Sequence, residues 1–295
     1  MILTPRDLEI LRAVEHHRLL RSTHLQALAG GSPQTTLRRL HLLFHHGYLD
    51  RPAAQLDWYV RGSEPLAYAL GNRGAEALAA VGELKSGALR SETKNRDFSR
   101  LFLRHTLAIA EVMVALEVAC RDWEGMTLIQ PEEVLSAAPP ETRRLRLPFR
   151  WQVEIRQDGK PYLLGVEPDR AFGLRFPQAP EDRQAAYFFL EADRGTMPVT
   201  RKGLLQTSFR RKLLAYQETW RQGLHKAHLG IPNFRVLTVT TSEERVRHLI
   251  AACQSLGSGG GLFLFADQAA LRRGSILNHE FVNGRAEGLR LTTLV

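Results

Sequence analysis

Acidic residues near the middle of this chain are spaced so that they could do chemistry. Asp169, in Val166-Glu167-Pro168-Asp169, is followed 22 residues on by Glu191, and Asp193 lies two residues beyond. Glu191 ends the apolar run Tyr187-Phe188-Phe189-Leu190. A carboxylate at the mouth of a buried strand is costly unless a cation meets it. A divalent metal bound through oxygen is one reason to gather several there. Arginine or lysine partners are the other reason, and they make such a cluster structural. In a continuing strand, the period of two sets Glu191 and Asp193 on the same side. Glu167 has the parity of Asp169, but Pro168 interrupts the strand and ranks Glu167 low.

The cation must come from a neighbouring element. A helix reads from Val199 or Gly203 to Trp220, with Arg201 and Lys202 at its start and Arg210, Arg211 and Lys212 inside. Lys212, 19 residues after Asp193, can reach back to the carboxylates, and Tyr216 shares its face one turn on. Adjacent Arg211 and Lys212 cannot share one direction, so at least one is left for another role. Phe98 to Cys120 reads as a long amphipathic helix. Phe102, His105, Ile109, Val112 and Leu116 form one face, and Leu103, Leu107, Val114 and Val118 a second. His105 is expected against a sheet. Glu111 borders the second face and needs a partner, either a metal or an arginine.

The strands expected around the carboxylates are Phe149–Ile155, Tyr162–Val166, Ala171–Leu174 and the central Ala185–Leu190, with Asp158-Gly159 as a hairpin turn. Asn233–Thr240, a Ser242-capped helix from Glu243 to Leu256 and Leu262–Ala266 continue an α/β pattern. Arg245, Arg247 and His248 are expected on the solvated face of that helix. Phe281–Val295 reads as a last strand or a packed tail.

The N-terminal quarter has a different rhythm. Thr4, Pro5 and Asp7 form a helix start, and Leu8, Ile10, Leu11 and Val14 follow as its apolar face up to His16-His17. A second helix covers Thr23–Leu28, with Ser22 or Thr23 as cap, and Gly30-Gly31 makes a turn. A third runs from Pro33 to His45, capped by Ser32. Thr36, Leu37, Leu40, Leu43 and Phe44 face inward. Gln34, Thr35, Arg38 and Arg39 are left to contact phosphates or base edges of double-stranded DNA. Strands are expected at 47–51, Trp58–Val60 and Leu66–Leu70, with a turn at 61–65. Three helices and a hairpin is the winged-helix order, and "YALGNRGAEAL" resembles the wing-to-helix run of bacterial winged-helix regulators.

Charge agrees with an anionic partner: 40 Lys and Arg against 31 Asp and Glu give +9 and a pI near 10.0 over 295 residues. That favours nucleic acid first and an anionic membrane surface second. Two cysteines, Cys120 and Cys253, make neither a zinc motif nor a disulfide framework, and a reducing cytoplasm is the expected setting. The start, Met1–Asp7, does not read as a signal peptide. Thr106–Val118 is broken by Glu111 and Glu117 and is too short to span a membrane. The polar run 82–97 reads as a linker, so the expected organisation is 1–81, linker 82–97, and 98–295.

Pro168-Asp169, a strand and Glu191-x-Asp193 resemble the core of PD-(D/E)XK nucleases. More narrowly, 168–174, Phe188 to Thr196 and 211–216 resemble the replication-relaxation family of plasmids and mobile elements, with its "PD…FxL…FFLExDRGT" pattern. The resemblance extends from the winged helix to about Leu256. It implies an N-terminal winged helix-turn-helix followed by a restriction-endonuclease-like α/β domain with a central mixed sheet, an α/β (α+β) fold. It implies Mg2+, with Mn2+ as a substitute, on Asp169 and Glu191. The resemblance further implies the Ala192 carbonyl as an extra ligand and Asp193 as a second carboxylate, with a metal there polarising a phosphodiester and lowering the pKa of a bound water, and Glu111 from the long helix can complete the set. Asp193 stands where the family's nuclease lysine belongs, which leaves Lys212 as the replacement, with Tyr216 beside it. Arg201, Lys202 and Arg211 are expected to serve DNA, with replication or mobilisation proteins as further partners. Two functions stay open: a metal-dependent DNA endonuclease, or a non-catalytic regulator on a degenerate nuclease fold. Oligomeric state is open too.

Overall fold

Helix caps and alternating strands build two compact units, Met1–Val118 and Ala119–Val295. The computed structural model describes residues 1–55, 64–83, 98–157, 159–203 and 206–294. The expected strand Trp58–Val60, the turn beginning at Arg61, most of the 82–97 linker and Asp158 lie outside the described residues.

The first unit opens with α1 (Pro5–His17). The Thr4 amide donates to Asp7 Oδ2 at 2.6 Å, while the Asp7 amide donates back to Thr4 Oγ1 at 3.4 Å, closing a reciprocal cap. Next come β1 (Leu20–Arg21), α2 (Ser22–Ala29), α3 (Pro33–His45), β2 (Leu49–Asp50), β3 (Ala67–Leu70), α4 (Asn72–Ala80) and α5 (Arg100–Arg121). The three strands are antiparallel with β3 in the middle, Tyr68 opposite Leu20 and Leu70 opposite Leu49. Ile10, Leu11 and Val14 of α1 pack with Leu25, Leu40, Leu43 and Leu78. Gly74 lets α4 sit against the turn between α3 and β2: a Cβ there would lie 2.2 Å from the Tyr48 carbonyl oxygen.

Three expectations change here. Leu37 is 45% exposed rather than inward, because Thr36, Leu40 and Leu43 occupy the buried stripe and Leu37 is one 100° step off it. Ser32 precedes α3 without a side-chain cap bond, and α2 starts at Ser22 with Arg21 in the cap position. The long helix α5 counts with the first unit up to Val118, not with the second. Its second apolar face decides this: Leu103 and Leu107 pack with Leu19, Ala67 and Ala69, and Ala110 and Val114 join the α1 core.

The second unit continues with β4 (Thr127–Ile129), α6 (Pro131–Ser136), α7 (Pro140–Arg143), β5 (Trp151–Gln157), β6 (Lys160–Val166), β7 (Arg170–Arg175), β8 (Ala185–Ala192), α8 (Phe209–Arg221) and α9 (Leu224–Leu229). After these come β9 (Arg235–Thr240), α10 (Glu243–Gln254), β10 (Phe263–Asp267), α11 (Gln268–Leu271), β11 (Phe281–Asn283) and β12 (Gly288–Leu289). Seven strands form one mixed sheet in the order β12-β11-β10-β9-β8-β7-β4. Within it β8, β9 and β10 are parallel neighbours, and the remaining pairings are antiparallel. The β5–β6 hairpin stands apart as its own two-stranded sheet. Its inward Val153, Ile155, Leu164 and Val166 share a core with Leu213 and Tyr216 of α8.

In the first unit, Arg39 is drawn onto the helix cap. It pairs with the fully buried Asp7 carboxylate and donates to the Ile2 carbonyl at 2.9 Å. Burial works to raise the Asp7 pKa, but hydrogen bonds from Arg39 and Thr4 outweigh it and hold the carboxyl below its usual value. The stability it contributes is therefore full above the ordinary carboxylate range and lost as pH falls through the folded value. We predict that Asp7→Asn weakens α1 and α3 by about 1–3 kcal/mol at neutral pH. Hydrogen exchange of their amides should show this gap shrinking toward acid pH; a gap that does not change with pH contradicts the pairing.

Candidate functional site

Strand β8 lies between β7 and β9, so its side chains alternate between two covered faces. Phe189 and Glu191 share the face that meets α8, where Phe189 stacks on Tyr216 with ring centroids 5.9 Å apart. The Glu191 side chain is 3% exposed. Lys212 Nζ donates to Glu191 Oε2 at 2.5 Å, and the Tyr216 hydroxyl donates to Oε1 at 2.6 Å. Both donors come from one face of α8, four residues apart. Their helix is fixed at its start by Ser208, whose Oγ accepts from the Arg211 amide at 3.3 Å. Further along, Trp151 Nε1 donates to Thr219 Oγ1 at 3.0 Å and ties α8 to the hairpin.

Burial raises the Glu191 pKa above its usual value; Lys212 pulls it down and Asp169 pushes it up. Burial works against the Lys212 ammonium, but Glu191, Asp169 and Asp193 outweigh it and raise its pKa. Lys212 thus stays protonated at neutral pH. Tyr216 is pushed far up, by burial and then by the Glu191 charge, so its hydroxyl keeps its proton and donates.

The other two carboxylates have separate partners. The partly buried Asp169 accepts from the Ala192 amide at 2.7 Å, and its own amide donates to the Leu190 carbonyl at 3.0 Å. Asp193 accepts from Thr240 Oγ1 at 2.7 Å and from Arg245 Nε at 2.9 Å and Nη2 at 3.3 Å. Arg245 also donates to the Met197 carbonyl at 2.6 Å and is only 14% exposed, not on a solvated face as expected. Ser242 caps α10 through the Arg245 amide, and this places Arg245 in the first turn, beside the end of β8. The Ser242 cap is readable in the sequence, but no local signal joins Arg245 to Asp193, 52 residues earlier. Oxygen donors at Asp169 and Glu191 suit Mg2+ or Mn2+, which take one or two carboxylates and fill the rest with water and phosphate. Asp193 is committed to Arg245, so the fitting set is two carboxylates rather than three.

The remaining candidates are dispersed. Helix α8 begins at Phe209, not at Val199 or Gly203, because Ser208 caps it and the 198 and 199 carbonyls accept from the Phe209 and Arg210 amides. Arg201 and Lys202 therefore lie exposed in the preceding segment, where Arg201 lines a shallow cavity of about 560 Å³ with Thr196, Met197 and Gln206. Arg211 is partly buried on α8, turned from Lys212 by the helical step. Glu167 is exposed and 3.6 Å from Arg150. Glu111 and His105 both belong to the first unit, where Glu111 lies 3.5 Å from His24 Nε2. Gln34, Thr35 and Arg38 are exposed on α3, whereas Arg39 is held by Asp7.

Removing one partner of a buried pair strands the other charge. We predict that Lys212→Met destabilises the second unit by about 1–3 kcal/mol, tempered by the solvent that reaches Lys212. Glu191→Gln combined with Lys212→Met should cost less than the two single changes added together. A double-mutant cycle by denaturant titration measures this coupling, and simple additivity refutes it.

Neither the curated proteins nor the solved structures compared with this chain gave a match. A family model described as replication-relaxation matches residues 11–233. That span covers most of the chain, from α1 through β8 and α8, and by it the protein belongs to the replication-relaxation family.

Proposed function

We propose that this is a DNA-binding protein of plasmid or mobile-element replication or mobilisation. In this reading the first unit is a winged helix and the second carries a PD-(D/E)XK-like phosphodiesterase site. The family membership, the +9 charge and the order of helices and antiparallel strands in the first unit support DNA as the partner. The observation that carries the site is Lys212 on Glu191 beside Asp169, at the end of a central strand.

Asp169 and Glu191 would hold Mg2+, which supplies polarisation of a phosphodiester and a lowered pKa for bound water. Lys212 keeps its proton on Nζ, so it acts as a fixed cation that orients water or phosphate and not as a base. Tyr216 holds the orientation of Glu191 through its hydroxyl. Arg245 neutralises Asp193 and keeps the 193–197 turn in place. Gln34, Thr35 and Arg38 contact the duplex, and Arg201, Lys202 and Arg211 add phosphate contacts.

A second reading is favoured by the burial of Glu191. Both of its oxygens already accept a hydrogen bond, from Lys212 and Tyr216, so the fold is stable without an ion and would bind DNA without cutting. Incubating supercoiled and branched DNA with Mg2+ or Mn2+ separates the two. Phosphodiesterase function predicts product with the wild type and none with Asp169→Ala or Glu191→Ala. No metal-dependent product from any substrate leaves binding alone, and normal cutting by both variants removes the site. For the first unit, Arg38→Ala should weaken duplex binding and lower the salt slope by about 1. Unchanged binding would remove α3 from the interface.

A further inference from the structure

The last turn of α1 carries two adjacent imidazoles, His16 and His17, whose rings meet edge to face with centroids 4.9 Å apart. Glu117, near the end of α5, faces them: its Oε1 lies 3.0 Å from His17 Nε2. One ligand atom from each of the three residues falls within 4.8 Å of the others, and among the described residues this is the grouping of His, Cys, Asp and Glu with that spacing. All three residues belong to the first unit.

We propose that His16, His17 and Glu117 form a binding site for a divalent transition metal of the zinc class. The donor set argues for this class. Two imidazole nitrogens and one carboxylate suit zinc, nickel or cobalt, whereas magnesium and calcium take oxygen. Three protein ligands leave a fourth position for water. Bonds to such an ion set neighbouring donors about 3.4 Å apart, so a pair at the 4.8 Å limit must close by about 1.4 Å while the 3.0 Å His17–Glu117 contact opens slightly. Side-chain rotation supplies that movement, because His16 is partly buried and the Glu117 side chain is 19% exposed, while the 3% exposed His17 is the fixed point. The helix end also helps: the C-terminus of α1 is the negative end of its dipole and favours a cation. The adjacent cation, Arg18, has its guanidinium over the Phe98 ring at 5.0 Å. His24 and Glu111 make a similar contact at 3.5 Å with a single imidazole, so they lack the donor number.

An ion here clips the end of α1 to α5 and stabilises the unit that carries the proposed DNA-reading helix α3. The site is independent of Asp169 and Glu191, and its chemistry separates the two. The full chain, stripped with chelator and held in excess Mg2+ to occupy oxygen-only sites, is titrated with Zn2+ by calorimetry and with Co2+ by visible absorption. The wild type and Glu191→Gln should take up one Zn2+ and raise the melting temperature. Loss of an outer-shell partner alone costs about 10–100-fold in metal affinity, so His16→Asn and Glu117→Gln should each lose at least about tenfold. Both changes keep a polar side chain of similar size and leave His17 itself unsubstituted, and far-UV circular dichroism checks that each variant folds. The Co2+ absorption should fall in the same two variants. Failure of zinc to bind in excess Mg2+, or equal uptake by wild type, His16→Asn and Glu117→Gln, overturns the site.

Discussion

A carboxylate that is 3% exposed, at the end of a central strand, sets the terms for the second unit. Glu191 cannot be left there without cation and hydrogen bonds, since burial alone would neutralise it. Lys212 and Tyr216 supply both from one face of α8, and this fixes the rotation of α8 about its axis. The hairpin β5–β6 then backs the same helix, with Trp151 bonded to Thr219 and the hairpin's inward residues in one core with Leu213. Sheet, helix and hairpin are thus held in register by one charge and its partners.

The same rule acts twice more. Asp193, just past β8, is met by Arg245 and Thr240, and Asp7 in the first unit is met by Arg39. In each case a cation that composition alone would assign to nucleic acid is spent on an internal carboxylate. The count of 40 Lys and Arg therefore overstates how many basic groups face a partner, although the net charge of +9 is unchanged by such pairs. Arg38, Arg201 and Lys202 remain exposed, and these carry the argument for a phosphate-binding surface.

Local signals were readable where they are local. The Thr4–Asp7 cap, the bounds of α3 and the buried strand at 185–190 follow from residues within a few positions of one another. The shared face of Lys212 and Tyr216 follows from helical spacing. What sequence could not supply was distance: Arg245 is 52 residues from Asp193, and nothing in either segment names the other. Alternation at 151–166 marks two strands but not their sheet, so the separation of the hairpin from the seven-stranded sheet was invisible. The assignment of α5 turned on which of two apolar faces is covered by the first unit, a choice that periodicity leaves open. Helix α8 starts later than the charged stretch from Arg201 suggests, because its start is set by a single side chain, the Ser208 cap.

The proposed metal site requires Asp169 and Glu191 to offer oxygen to a divalent ion while Lys212 stays beside them. Anomalous diffraction from crystals soaked in Mn2+ tests it most directly. The expected result is a manganese peak next to the Asp169 and Glu191 carboxylates, with Lys212 Nζ still in contact with Glu191. Absence of manganese from that carboxylate pair, with Lys212 and Tyr216 unmoved, would contradict it and leave the cluster as an internal ion pair.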